Sequence, residues 1–498
     1  MKQIKVDVAI IGAGSAGMPA YRAAKASGKR VVLIEGGPYG TTCARVGCMP
    51  SKLLIAAAEA AHAVQAAPGF GVNTVAPQID GVAVLERVRR ERDRFVGFVL
   101  ESVEGFDAAD RVRGYARFLD PHTLLVEPAG ADSGGEVLRI EAATVVIATG
   151  SSANIPPELA GAGERVQICD DVFEWPDLPR RVAVVGTGVI ALELGQALHR
   201  LGVQVSIFGR RDRLAHLSDP KVLASAHETL AAELDIRFNT TLLGSSQAGA
   251  QARLRWRAPD GGEHEGEFDF ILAASGRNPN LARLDLQHSG LQLDAHGIPL
   301  FDRHTMQCVD GGRAATAGTD ASAGSHIFIA GDVDNEIPLL HEAADQGKIA
   351  GHNAGVFPDV APGLRRAPIA VAFCDPQIAT VGQSHAQLQA TMAGKFVCGE
   401  VSFKGQGRSR VMLQNHGLLR VYGRCSDGVF LGAEMIGPRA EHLAHLLAWA
   451  CQSRMTVDAM LDMPFYHPVI EEGVRTALRD LQQQLKLGCI DCVGVNQS

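Results

Sequence analysis

The 498-residue sequence predicts an α/β fold made of two parallel-sheet units of one kind, followed by an α+β domain without their signature. Two observations carry this. A strand, a glycine loop, a helix and a second strand occur in that order at the N-terminus, and the same succession returns from Arg181. From about Arg365 the texture changes to short strand-like stretches alternating with amphipathic helices. At roughly 150 residues per domain, the length allows about three domains.

Residues 5–11 (Lys-Val-Asp-Val-Ala-Ile-Ile) read as a buried parallel strand. Gly12-Ala13-Gly14-Ser15-Ala16-Gly17 follows, then an Ala-rich helix from about Met18 to Ser27 and a strand, Arg30 to Ile34, ending at Glu35. Glycines so spaced let backbone approach a pyrophosphate at a helix N-terminus, and an acid about 20 residues on accepts hydrogen bonds from ribose hydroxyls. A glycine triplet alone is a weak sign. With strand, helix and acid around it, the segment is a Rossmann-like dinucleotide-binding unit. The second unit runs Arg181–Val185, Gly186-Thr187-Gly188-Val189-Ile190-Ala191, a helix to about Leu201 and a strand Val203–Phe208. Two units imply two dinucleotides. In the second, Ala191 replaces the third glycine, and Gly209-Arg210-Arg211 stands where the acid is expected. Two arginines invite a 2′-phosphate, which favours NADP over NAD; the bland reading is a solvated turn.

Two short strands end in glycine, Val145–Gly150 and Ile271–Gly276, and look like crossovers between nucleotide domains. Thr149, Gly150 and Gly276 are therefore further candidates for cofactor contact. A third strand, His326 to Ala330, ends in Gly331-Asp332, which could hold a ribitol or phosphate region. Residues 309–325, rich in Gly, Ala, Ser and Asp, read as a surface loop. Beyond Arg365, strand-like Val371–Phe373, Gly417–Tyr422 and Phe430–Ile436 alternate with helices around Glu441–Arg454 and Glu471–Lys486. This part carries no nucleotide motif and is expected to serve assembly.

Composition narrows the function. Lys plus Arg total 47 against 55 acids, a net charge of -8, with no basic block suited to nucleic acid. No apolar run reaches the ~18 residues of a membrane helix. Met1 to Gly17 faintly imitates a signal peptide but alternates like a strand and ends in the glycine loop, so the expected location is cytoplasmic. Ten cysteines are too sparse for a disulfide-stapled fold. Six are singletons expected to be inert; the pairs Cys43/Cys48 and Cys489/Cys492 are the exceptions.

The first pair lies in Thr42-Cys43-Ala44-Arg45-Val46-Gly47-Cys48-Met49-Pro50-Ser51-Lys52, directly after the first nucleotide unit. Four intervening residues allow both thiols to face one side of a helical start and close a disulfide. Zinc is the competing reading, but it wants two more ligands nearby and none follow, so no metal is expected. A helix N-terminus and Lys52 would both lower a thiol pKa. The simplest chemistry is electron exchange between a bound dinucleotide and a dithiol.

The two glycine loops, the C-x4-C-x-P-S-K run, Glu193, Gly276–Asn280, Ala330–Asp332 and His467-Pro468 with Glu472 occur in the order of a known family. Together they resemble the flavin-dependent pyridine nucleotide–disulfide oxidoreductases over residues 4 to about 480, nearest to dihydrolipoyl dehydrogenases. The resemblance implies domains at 1–150 (FAD, first part), 151–276 (NAD(P)), 277–351 (FAD, second part) and 352–484 (dimerisation), with a tail at 485–498. It implies that Gly12, Gly14, Gly17 and Glu35 bind the ADP half of FAD, Ala116 lies against the adenine and Asp332 holds the ribitol side. Lys52, paired with Glu193, would sit near the flavin N5. Gly186, Gly188, Arg210 and Arg211 would hold the nicotinamide nucleotide. Cys48 would face the flavin and Cys43 exchange with substrate sulfur. His467 would be the acid–base, oriented by Glu472 and delivered to the partner subunit's disulfide, so a homodimer with shared active sites is expected.

Three departures bear on the substrate. Phe465 stands where dihydrolipoyl dehydrogenases usually carry a second histidine, the NAD-selecting acid is lost, and the tail adds Cys489/Cys492. The leading expectation is a dihydrolipoyl dehydrogenase-like dithiol/disulfide oxidoreductase. The alternatives are an NADPH-dependent reductase of another small-molecule or protein disulfide, like glutathione or thioredoxin reductase, or a mercuric reductase-like enzyme; Cys489/Cys492 reads either as a relay to such an acceptor or as an idle tail. Outside enzymes, a flavin-binding redox sensor is the competing class.

Overall fold

The structure, a computed structural model, describes residues 2–129, 136–311 and 324–488. The chain divides into two compact units. The first comprises Met1–Pro50, Arg89–Asn154 and Arg277–Arg365; the second comprises Ser51–Val88, Ile155–Gly276 and Arg366–Ser498.

The first unit is built on a sheet whose parallel heart runs Gly324–Ile329, Leu138–Ile147, Lys2–Ile11, Val31–Glu35 and Arg111–Arg113. Its strands are continuous apolar runs because both faces are covered: Val31, Val32, Leu33 and Ile34 are all buried. The helix Gly17–Ala26 follows the first glycine loop and packs on one face through Ala20, Tyr21 and Ala24. The other face holds a cluster that includes Ile140, Val145 and Ile327.

In the second unit a five-stranded parallel sheet runs Asp235–Arg237, Gln204–Phe208, Arg181–Val185, Phe270–Ala273 and Val166–Ile168. The helix Val189–Arg200 follows the second glycine loop and is buried almost all round, as its apolar sequence requires. A three-stranded antiparallel sheet, Thr241–Ala248, Gln251–Arg257 and Glu263–Phe268, lies in the same unit. The C-terminal part is a five-stranded antiparallel sheet in the order Ile369–Ala372, Gln377–Gly382, Phe430–Gly437, Leu418–Arg424, Phe396–Ser402. The helices Ala440–Gln452 and Glu472–Leu487 bury Leu443, Leu447, Leu478 and Leu481 in its core. The loop expected at 309–325 falls largely outside the described residues, as do Cys489 and Cys492. No described helix is long and apolar enough to cross a membrane.

Candidate active site

The two glycine loops are the same device used twice. Gly12 has φ +106° and lies against the Ala148 carbonyl; Gly186 has φ +125° and lies against the Ala274 carbonyl. Each thus wedges the end of a motif strand beneath the neighbouring crossover strand, where a side chain would be both strained and blocked. Gly17 packs on the Gly12 carbonyl, closing the first loop onto its helix. Gly14 and Gly188 have no heavy atom within 4 Å of where a side chain would start, so both loops present bare backbone to open space. That is the cradle a pyrophosphate needs, and these residues fit two dinucleotides.

Glu35 secures the first cradle. Its Oε2 accepts from the Ala13 N–H at 2.8 Å and its Oε1 from the Gly37 N–H at 2.7 Å. A carboxylate has lone pairs beyond those two bonds with which to meet a ribose. Ala116 is buried beside Phe118 and Leu124, so only its backbone is left for an adenine. At the crossover, Thr149 Oγ1 donates to the Asn280 carbonyl at 2.8 Å, and Gly150 turns the chain at φ +67°. Asp332 accepts from Ser151 Oγ at 2.9 Å, while Ser151 Oγ accepts from Arg277 Nε at 2.8 Å. Ser151 carries no signal in the sequence that singles it out, whereas Arg277 lies in the Gly276–Asn280 run.

In the second unit, Arg210 and Arg211 are exposed on the turn that leaves strand Gln204–Phe208. That turn is tied to the second glycine loop by the Ala215 N–H, which donates to the Thr187 carbonyl at 2.9 Å. Neither arginine has a carboxylate partner among the described residues, which leaves both available to an anionic group. Gly276 (φ +106°) ends the crossover after Phe270–Ala273.

The cysteine segment forms two helical pieces rather than one. Cys43 lies in Thr42–Val46, whose N-cap Thr41 accepts from the Ala44 N–H; Gly47 breaks the chain; Cys48 is the first residue of the helix Cys48–Ala66. A side chain at Gly47 would sit 3.1 Å from the Thr42 carbonyl oxygen and 3.3 Å from the Cys43 Cα, so the chain bends tightly there. Cys48 is exposed and Cys43 half-buried. Cys308 and Cys374, by contrast, are buried, and burial pushes both thiols up, Cys374 to about 12, as befits inert packing.

One turn after Cys48, Lys52 Nζ meets Glu193 Oε2 at 2.7 Å. Glu193 is 4% exposed, and a carboxylate so buried requires partners. Besides Lys52 it has the Phe373 N–H, which donates to Oε1 at 2.9 Å. The Phe373 ring lies beneath the Lys52 ammonium, 4.7 Å from centroid to nitrogen. The Phe373–Asp375 segment is held in turn. Gln196 accepts from the Asp375 N–H and donates to the Asp375 carbonyl, each at 2.7 Å, and Arg200 bridges Asp375 and Glu233. Sequence reasoning missed Phe373, Gln196 and Arg200. The spacing of Glu193, Gln196 and Arg200, one polar stripe on an apolar helix, was the available signal.

His467 and Glu472 are brought together. His467 Nδ1 lies 3.1 and 3.0 Å from the two Glu472 carboxylate oxygens, while the histidine side chain is 80% exposed. Glu472 is the first residue of the last helix, where a negative charge is favoured. His467 above all, with the Val469 N–H and Arg475, holds its carboxyl below the usual range.

Comparison with known proteins identifies the family. The family described as pyridine nucleotide-disulphide oxidoreductase matches residues 6–347, and its dimerisation domain matches residues 369–478. A dihydrolipoyl dehydrogenase of Haloferax volcanii is 30% identical, with 95% of each chain covered. A mercuric reductase of Shigella flexneri is also 30% identical, over 98% of this chain and 83% of its own. Among solved structures, LpdA from Mycobacterium tuberculosis superposes with a TM-score of 0.78 at 23% identity, covering 96% of this chain and 99% of its own. The HOCl-induced flavoprotein disulfide reductase RclA from Escherichia coli gives 0.76 at 21%, covering 97% and 99%. These last two likenesses speak for the fold.

Proposed function

The chain belongs to the pyridine nucleotide-disulphide oxidoreductase family, and from that premise we propose that it exchanges electrons between NADP(H) and a dithiol/disulfide through Cys43 and Cys48, in the manner of a dihydrolipoyl dehydrogenase. One element carries the proposal: the helix Cys48–Ala66 opens on a cysteine and, one turn on, presents Lys52 locked to buried Glu193. A flavin-binding sensor would need the glycine loops but not this pair.

Gly12, Gly14, Gly17, Glu35 and Asp332 would hold FAD, which would supply a two-electron carrier between nicotinamide and sulfur. The protein's own groups do the rest. Two electrons and two protons convert the disulfide to two thiols while NADPH becomes NADP. Cys43 exchanges with the substrate's sulfur. His467 takes or returns the thiol proton at Nε2, since Nδ1 is turned to Glu472. Lys52 is held in one place by Glu193 and Phe373 and would offer a fixed positive charge to a bound flavin. The match to a dimerisation domain supports a homodimer as the working form, and in this reading each His467 serves the partner's disulfide.

Arg210 and Arg211 favour NADP. That observation supports a second reading, an NADPH-dependent reductase of a disulfide other than lipoamide. A mercuric reductase-like role fits less well, because the resemblance there would replace the histidine by tyrosine.

Anaerobic titration with NADPH and NADH, followed by lipoamide or glutathione disulfide, tests the proposal. Two-electron reduction should raise a long-wavelength thiolate–flavin absorbance that Cys48→Ser abolishes while flavin stays bound; a band surviving in that variant would reject the role of Cys48. NADPH should reduce the flavin faster than NADH by about tenfold or more, and replacing Arg210 by Glu and Arg211 by Ala should reverse the order. Reoxidation by lipoamide supports the first reading, and reoxidation by glutathione disulfide alone supports the second.

A further inference from the structure

Glu472 does not serve His467 alone. Arg475, one turn along the last helix, donates from Nη2 to Glu472 Oε1 at 3.0 Å, the same oxygen that lies 3.1 Å from His467 Nδ1. The guanidinium carbon of Arg475 lies 5.7 Å from the centroid of the Phe465 ring. Phe465 is the residue that departs from the histidine usual two positions before the catalytic one, and here it provides an uncharged aromatic seat for a cation.

We propose that Arg475 is a positioning residue that, seated on Phe465, shares the Glu472 carboxylate with His467 and so sets how firmly that histidine holds its proton. The inference rests on the reading of His467 as the acid–base.

The physical argument is one of competition. A carboxylate that answers only to an imidazole stabilises the imidazolium by charge and by a charge-assisted hydrogen bond. A guanidinium on the same oxygen cancels part of that negative charge and polarises its lone pairs away from the ring. Arginine stays protonated throughout the working range, so its effect is constant with pH. His467 and Arg475 both act on Glu472 by charge. From the strand and turn packed against the start of this helix, Val401, Phe403 and Gln406 face Gly473, and none carries a charge. Gln406 donates to the Val469 carbonyl at 2.7 Å and thereby fixes the segment between His467 and Glu472. None of these three can substitute for Arg475, so the ring should release its proton at a lower pH with the arginine than without it.

The test is a pH titration of the FAD-loaded protein labelled with 13Cε1-histidine, the His467 resonance being the one missing from His467→Asn. In Arg475→Gln the midpoint of that resonance should move up by about half a pH unit or more, the scale of a partly exposed ion pair. Phe465→Ala, which leaves the arginine but removes its seat, should move it up by less. Glu472→Gln should move it down. An unmoved midpoint in Arg475→Gln, with dihydrolipoamide turnover still lost in His467→Asn, would overturn the role of Arg475 while leaving the proposed function standing. Full turnover in His467→Asn would overturn the acid–base reading and this inference with it.

Discussion

At the scale of single residues, the charged groups of this protein are expensive to bury, and a buried one is explained by what it touches. Glu193 has Lys52 and a backbone N–H. Asp334 is the instructive contrast. It is 4% exposed, and its Oδ2 has no hydrogen-bond partner among the described residues. Burial, with Glu336 adding to it, pushes the carboxyl up to about 6 against the pull of the Glu336 N–H and Arg365. The folded protein therefore binds this proton more tightly than the unfolded chain, and stability falls as pH rises from about 4 to about 6. A rise of that size is worth at most about 3 kcal/mol. Asp334→Asn, which cannot titrate and keeps the oxygen that accepts from Glu336, should flatten the melting temperature over that window. Thermal unfolding between about pH 4 and pH 7 measures it, and an unchanged slope would assign the pH dependence to other acids.

At the scale of elements, the paired glycine loops make a differential prediction. Gly12→Ala and Gly186→Ala impose the same strain, roughly 2 kcal/mol or more, and the same clash with a crossover carbonyl, of Ala148 and of Ala274, in the loops proposed for two different dinucleotides. Gly12→Ala should purify with little flavin. Gly186→Ala should purify yellow but be reduced by NADPH more than about tenfold more slowly; absorbance spectra and stopped-flow reduction separate the two. These elements are also the most legible in the sequence. The motif strands, expected at 5–11 and 181–185, are observed at Lys2–Ile11 and Arg181–Val185. Buried parallel strands are short apolar runs with a loop of fixed composition after them, and both signals are local. The antiparallel strands Gln377–Gly382 and Phe396–Ser402 escape such a reading, as does the three-stranded sheet in the second unit. In Gln251–Arg257 the alternation of buried Ala252, Leu254 and Trp256 with outward arginines is a strand signal. Glycine motifs do not mark it, and periodicity alone would have found it.

At the scale of the whole molecule, the dimerisation domain asks for a surface. The helix Ala440–Gln452 turns Leu443, Ala444 and Leu447 into the core, yet leaves Leu446 45% and Trp449 70% exposed, three residues apart on one face. Replacing both by Asp should convert a dimer to a monomer in sedimentation velocity, with loss of turnover if, as proposed, His467 serves the partner's site. A dimer that survives would place the interface elsewhere. Sequence alone was enough for groups within a few residues of one another that the folded chain brings together: the two glycine loops, and, once the resemblance had named them, His467 with Glu472. Such groups are joined by covalent geometry and a turn or two of helix, so their spacing already encodes their meeting. Family resemblance anticipated the partner of Lys52, 141 residues away. It took the packed chain to show that Phe373 closes that pair from 180 residues beyond Glu193, that Ser151 joins Arg277 to Asp332, and that Arg475 stands on Phe465. Contacts of that kind exist only once sheets and helices have packed, because it is burial that forces a polar group to find a partner the chain does not place beside it.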